Sequence, residues 1–243
     1  MRSCYAHVHA RAHPVVTGVS IGGARAKDHA VEANGTSDLV LPESRFGFAA
    51  ALMQMHHDRK QVFVDRFGWR LPAKGSWLEV DQFDNEHAVY LLARSIEGRH
   101  LGSVRLLPSS RSHMLRSIFS HLCAGPVPEG EDCWEISRLV TNPAGADGTT
   151  LLRVHRLLSI ALCEFAALNG IRRYTLVAEA ARVPVLLSVG WPVVPLGLPT
   201  EVKREQLQAL QIDLHDDTLA GMRVRLRIPH RVLRVPEPER RVA

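Results

Sequence analysis

CWEISRLVTNPAGADGTTLLRVHRLLSIALCEFAALNGIRRYTLVAE, residues 133–179, reads as strand, helix, strand. CWEISRLVT (133–141) is an apolar-rich run without glycine or proline, the pattern of a buried strand. Over residues 150–170 the period becomes helical. Leu151, Val154, Leu158, Leu162 and Phe165 share one stripe, and Gly170 stands at the helix stop. RYTLVAE (173–179) is again a strand. Upstream, HAVYLLARS (87–95) and HLGSVRLLP (100–108) flank a turn with Gly98, a hairpin signature. A hairpin plus a strand–helix–strand crossover predicts an α/β fold, a mixed twisted sheet packed by helices.

The flanks are expected as follows. SRFGFAAALMQMHHDRKQVFVDRF (44–67) spaces Phe48, Leu52, Met55, Val62 and Phe63 for one or two helices. WLEVDQFD (77–84) is a short strand entering an acidic turn. SHMLRSIFSHL (112–122) is a short amphipathic helix with Leu115, Ile118, Phe119 and Leu122 on one face. Residues 180–189 form a weak helix interrupted by Pro184 and closed by Gly190. MRVRLRI (222–228) alternates as a strand, with Val224, Leu226 and Ile228 inward and Arg223, Arg225 and Arg227 outward. Residues 1–43, rich in Gly, Ala, Ser and His, are expected as a loosely ordered extension. Residues 44–235 form the domain, and 236–243 a basic tail.

Composition narrows the function classes. The chain of 243 residues is 46% hydrophobic and 23% charged, which suits a globular protein and not a disordered one. Its four cysteines form no C-x-x-C pair and read as free thiols in a reducing compartment, so the expected location is cytoplasmic. The longest nearly charge-free stretch, 183–202, carries Pro184, Pro192, Pro195 and Pro199, which would break a membrane span. The +5 formal charge admits acidic partners, but no helix–turn–helix, zinc-finger or RNP-like pattern supports nucleic acid. The 13 histidines show no metal-ligand spacing, so no metal is expected.

Charged groups concentrate in the middle third. Glu135 and Arg138, three apart in WEISR, point to opposite faces of an ideal strand; a bulge would bring both to one pocket, and otherwise they form an ordinary exposed pair. Asp81 and Asp84 can hold an ammonium group or a metal, brace an arginine, or sit in a solvated loop. Arg105 lies inside the apolar strand SVRLLP. If buried it needs a partner, with Asp81, Asp84 and Glu135 as candidates; otherwise it faces outward.

At these residues the chain resembles the acyl-homoserine-lactone synthases, the LuxI-type autoinducer synthases. Arg59, Phe63 and Trp69 match the family's N-terminal Arg, Phe and Trp, and Asp81 and Asp84 its D-x-F-D segment. Arg105 matches the Arg of its G-x-x-R strand, Phe119 its Phe before the central loop, and Glu135 and Arg138 its W/F-E-x-S-R strand. The ordered set runs from about Ala49 to Val194.

The resemblance implies a fold like the Gcn5-related N-acetyltransferases, with a sheet splayed between two neighbouring strands. It implies S-adenosylmethionine as substrate, no tightly bound cofactor, and acyl carrier protein as acyl donor. Glu135 is then the expected general base. Arg59, Phe63, Trp69, Asp81, Asp84, Arg105, Phe119 and Arg138 are expected to hold S-adenosylmethionine. Leu106, Leu152, Thr175, Leu176 and Val177, with Leu186, are the expected acyl pocket, and Thr175 resembles a position that meets a 3-oxo group. Arg223, Arg225 and Arg227, with Arg231, Arg234, Arg240 and Arg241, offer a basic face for an acidic carrier, or a solvated edge strand. The alternative is an N-acyltransferase using acyl-CoA. TNPAGADGTT (141–150) lacks the R/Q-x-x-G-x-G/A spacing that cradles a pyrophosphate, which weighs against it.

Overall fold

In the computed structural model, residues 35–69, 77–141 and 148–236 are described. Among these residues nine strands form one mixed sheet: β1 (Ser37–Val40), β2 (Val89–Arg94), β3 (His100–Pro108), β4 (Cys133–Thr141), β5 (Arg173–Glu179), β6 (Val193–Pro195), β7 (Thr200–Val202), β8 (Glu205–Asp213) and β9 (Leu233–Arg234). The order is β6-β8-β5-β4-β3-β2-β1-β9, with β7 on β8. Among the described residues five α-helices accompany it: α1 (Ala49–Arg59), α2 (Met114–Ser117), α3 (Gly148–Asn169), α4 (Val183–Val189) and α5 (Thr218–Leu226).

Alternation along the strands sorts side chains onto two faces. Val89, Leu91, Val104, Leu106, Ile136, Tyr174, Leu176, Leu210 and Ile212 join Val154, Leu158, Leu162 and Phe165 of α3 in the main core. Met222 and Leu226 of α5 pack into the same core. The opposite face carries Tyr90, Leu92 and Leu107 against Met55 of α1, and Ala209 against Leu115 and Leu122. Gly102 sets how closely α3 lies on β3: a Cβ there would stand 2.5 Å from Val154 and 2.7 Å from the Val140 carbonyl.

The hairpin β2–β3 and the β4–α3–β5 crossover form as the periodicity predicts, β2–β3 antiparallel and β4–β5 parallel. Gly98 and Gly170 adopt φ values of +81° and +65° at the expected turn and stop. The two strands of the crossover pair only at Cys133–Arg173, Trp134–Tyr174 and Glu135–Thr175, then part. This is the expected splay.

Five expectations need correction. Order begins before Ser44: β1 lies within the expected loose extension, pairing with β2 and β9, because Leu39 and Val40 fill the two opposite faces. Residues 1–34 lie outside the described residues. MRVRLRI is not a strand. Residues 218–226 are helical and Arg227 caps α5 at φ 58°. Met222 and Leu226, four apart, face α3, while Val224, expected inward, is 81% exposed. The extended run expected at 77–84 reduces to one bridge residue, Glu79, followed by turns. The helix expected over 112–122 is one α-turn, Met114–Ser117, and a 3-10 turn, Ser120–Leu122; its apolar face divides between two clusters. Pro184 does not interrupt α4, because it stands in its first turn, where no N–H is needed.

The arginines expected on one face of that strand stand instead on α5 and the segment after it, with Arg225, Arg227, Arg231 and Arg234 exposed. Arg223 donates to Glu164 (2.7 Å) and Arg225 to the Ser188 carbonyl (3.1 Å). Arg231 bonds the Leu233 carbonyl and Arg234 the Thr36 hydroxyl. Arg240 and Arg241 lie outside the described residues. No helix among the described residues is long and apolar enough to cross a membrane.

Candidate functional site

The site lies on the face of the sheet covered by α1 and α2. Helix α1 continues as a π-helical segment, Lys60–Arg66. Such wide turns concentrate at functional positions. Arg59, at the end of α1, meets an acidic turn, and Phe63, within the segment, packs on Val140 of β4. Arg59 is 1% exposed. It donates through Nε to Glu79 (2.6 Å), pairs with Glu79 again through Nη2, and forks onto Asp84 at 2.8 and 3.0 Å. Arg105, also 1% exposed, forks onto Asp81 at 2.6 and 3.1 Å. It also reaches Asp84 at 2.9 Å and the Ser137 hydroxyl at 3.0 Å. Arg138 donates to Glu79 at 3.0 Å and to Asp81 at 2.6 Å. Three guanidinium groups and three carboxylates thus form one buried network of bidentate pairs.

Arg138 joins it through an unusual backbone. Its φ is +52°, a left-handed conformation in a strand, with a register shift in the adjoining β3–β4 pairing. Such a conformation costs a non-glycine residue about 1–3 kcal/mol. Bonds to two buried carboxylates offset that cost. The twist brings Arg138 to the face that already carries Glu135 and Ser137, resolving the spacing of WEISR as a bulge brings it about. Of the roles open to Asp81 and Asp84, the structure takes arginine bracing. Burial pushes the Asp84 carboxyl up, but the Arg59 and Arg105 charges hold it far below the usual range. Asp81 is likewise lowered, burial being outweighed by its hydrogen bond and charge contact with Arg105.

Phe63 and Trp69 stack with ring centres 4.8 Å apart and planes at 19°. Arg138 lies over Phe63 at 5.5 Å. Phe119 is placed elsewhere, beside Leu115, Leu122, Val177 and Ala209.

Glu135 stands apart from the arginine pairs. Its carboxylate accepts the backbone N–H groups of Met114 (2.6 Å) and Leu115 (2.9 Å), so it holds the start of α2. Burial raises it to about 7, against the pull of those two N–H groups. Thr175 is its register partner on β5 and shares its face. The Thr175 hydroxyl is buried without a hydrogen-bond partner among the described residues.

Four acyl-pocket candidates lie away from Thr175 and Val177. Leu106 and Leu176 alternate onto the other face of the sheet and, with Leu186 of α4, pack into the main core. Leu152 is 42% exposed on α3.

Three participants escaped the sequence reading. Glu79, fully buried, links Arg59 to Arg138. The Tyr90 hydroxyl donates to Asp84 at 2.9 Å. The Met114 thioether meets both Arg105 and Arg138. The available signals were Glu79 two residues before Asp81, and a Tyr inside an apolar strand, whose hydroxyl needs a partner when buried.

A model of the autoinducer synthase family matches residues 47–222. An acyl-homoserine-lactone synthase of Rhizobium etli is 31% identical over 190 residues, 77% of this chain and 85% of that protein. Among solved structures, the CoA-dependent acyl-homoserine lactone synthase BjaI with S-adenosylmethionine and isopentyl-CoA aligns at 28% identity and a TM-score of 0.76, covering 84% of this chain and 95% of that one. The CoA-dependent acyl-homoserine lactone synthase MesI aligns at 29% identity and a TM-score of 0.72, covering 81% and 98%.

Proposed function

The chain belongs to the autoinducer synthase family, and on that basis we propose that it moves an acyl group from a thioester to the α-amino group of S-adenosylmethionine, then closes the homoserine lactone. In the first step the amine, having lost a proton, attacks the thioester carbonyl. The amide bond forms, the C–S bond breaks, and the thiol leaves with a proton. In the second step the substrate carboxylate attacks its own γ-carbon. The bond to the sulfonium breaks with its electron pair, releasing neutral 5′-methylthioadenosine. That step is intramolecular, so holding the substrate folded supplies much of the acceleration.

The observation that carries this reading is the buried arginine–carboxylate network beside the point where β4 and β5 part. A zwitterionic head group with an added sulfonium suits a site where both signs of charge are fixed in advance. The stacked Phe63 and Trp69 offer a face to the sulfonium or adenine. Glu135 is the proposed general base, acting directly or through one water. It titrates near neutrality, and two of its four lone-pair positions remain beyond the Met114 and Leu115 bonds.

The acyl chain enters between β4 and β5, with Thr175 and Val177 at its side. A buried hydroxyl without a partner favours an oxygen-bearing acyl chain. Thr175→Val should then lower the preference for 3-oxo over unsubstituted donors about tenfold, one hydrogen bond's worth, while leaving the melting temperature unchanged or higher. An unchanged ratio of kcat/KM values removes the role.

For the donor, acyl-CoA is favoured over the acyl carrier protein expected from the sequence. The strand expected to present a basic face to a carrier does not form, and the two solved relatives above are CoA-dependent by name. The test is purified protein with S-adenosylmethionine and matched acyl-CoA or acyl-carrier donors, with lactone read by mass spectrometry. Lactone with either donor supports the activity, and the faster donor decides the thioester class. No lactone with any donor, and no methylthioadenosine, would overturn the proposal.

A further inference from the structure

Resting on the reading above, we propose that Met114 is a positioning residue whose thioether occupies, before substrate arrives, the guanidinium donors that the substrate carboxylate takes over. Among the described residues, Arg59 directs its hydrogen bonds to Glu79 and Asp84 alone. Arg105 and Arg138 direct theirs to Asp81, Asp84, Glu79 and Ser137, with one exception each. Nη2 of Arg105 donates to Met114 Sδ at 3.3 Å, and Nη1 of Arg138 to the same sulfur at 3.5 Å.

Two charged donors therefore converge on one thioether. Sulfur is a weak acceptor, whereas a carboxylate oxygen facing guanidinium is a strong one. The exchange favours the substrate, and the surrounding carboxylates keep their partners. Met114 is built for such a displacement. Its backbone is pinned by Glu135, while its unbranched side chain turns about three bonds. It is half-buried, at the border of the network.

Two substitutions separate this role from packing. Met114→Leu keeps the volume and removes the acceptor, so S-adenosylmethionine should bind tighter by about two- to fivefold. Met114→Gln supplies an oxygen acceptor, so binding should weaken by about fivefold or more. The KM for the acyl donor should not move in either variant. Isothermal titration of each protein with S-adenosylmethionine, beside steady-state KM values for both substrates, reads these shifts. A packing role would instead weaken binding in both variants. Shifts of the same sign, or none, overturn the inference. If the leucine variant does not fold, an unchanged dissociation constant in the glutamine variant overturns it alone. Wild-type protein that fails to bind S-adenosylmethionine would instead sink the functional reading itself.

Discussion

Glu79→Ala is expected to destabilise the protein by about 3–5 kcal/mol, the usual consequence of removing one partner from a buried ionic network. Glu79 is fully buried and receives bonds from two arginines. Without it the Arg59 Nε and the Arg138 Nε lose their carboxylate partner, in a place where water does not replace it. At this chain length each kcal/mol corresponds to about 2–4 °C, so the melting temperature should fall by about 6–20 °C. Turnover should fall at least about 100-fold even well below the new melting temperature, because the arginines no longer hold their geometry. Glu79→Gln should fall between wild type and alanine in both measures. Calorimetry and initial rates at low temperature check this. A melting temperature within 2 °C of wild type, as an order-of-magnitude bound, would show that Glu79 does not bind the network together.

The second large effect belongs to Glu135. Glu135→Gln should lower kcat by about 100- to 10,000-fold, the range for removing a general base. Part of any loss could be structural. An amide offers one carbonyl oxygen, so one of the Met114 and Leu115 N–H groups would face an NH2 instead. The pH profile separates the two. The Glu135 carboxyl is raised by burial to about 7, so wild-type kcat/KM should climb through that midpoint as the base is freed. The glutamine variant should lack that limb. Stability runs the other way. A carboxyl raised on folding stabilises fully below its unfolded value, near 4.3, and that contribution is lost as pH rises through about 7. The wild-type melting temperature should therefore decline over that window more than the variant's. An identical ascending limb in both proteins would assign the base elsewhere, such as a backbone carbonyl acting through water.

What the sequence disclosed follows from how local each signal is. Strands β2 to β5 and α3 are long and carry their apolar period within themselves, so each was legible alone. Strands β1, β6, β7 and β9 span two to four residues, too short for a period. Strand β8, EQLQALQID, is polar enough to pass unread. MRVRLRI gave a clean period of two and was overruled by tertiary contact: Arg223 pairs with Glu164, and Met222 and Leu226 bury against α3. In the site, Arg59, Asp81, Asp84, Arg105 and Arg138 were legible through the ordered resemblance, and they meet. Phe119 was legible too but packs elsewhere. Glu79 and Met114 were not, because their importance lies in distance rather than type. An acid two residues before another, or a methionine opening a short helix, is ordinary until two arginines are seen on it.

The one-ended pairing of β4 and β5 divides the molecule's labour. Every ion pair of the guanidinium network belongs to α1, the 79–84 turn, β3 or β4, all on one leaf of the sheet. Thr175 and Val177 belong to the other leaf, supported by β8. Pairing between the leaves ends at Glu135 and Thr175, so on the reading proposed above a bulkier tail asks only for a wider wedge. On that reading, substitutions on β5 and β8 should retune the acyl chain accepted while the leaf carrying the guanidinium network stays untouched.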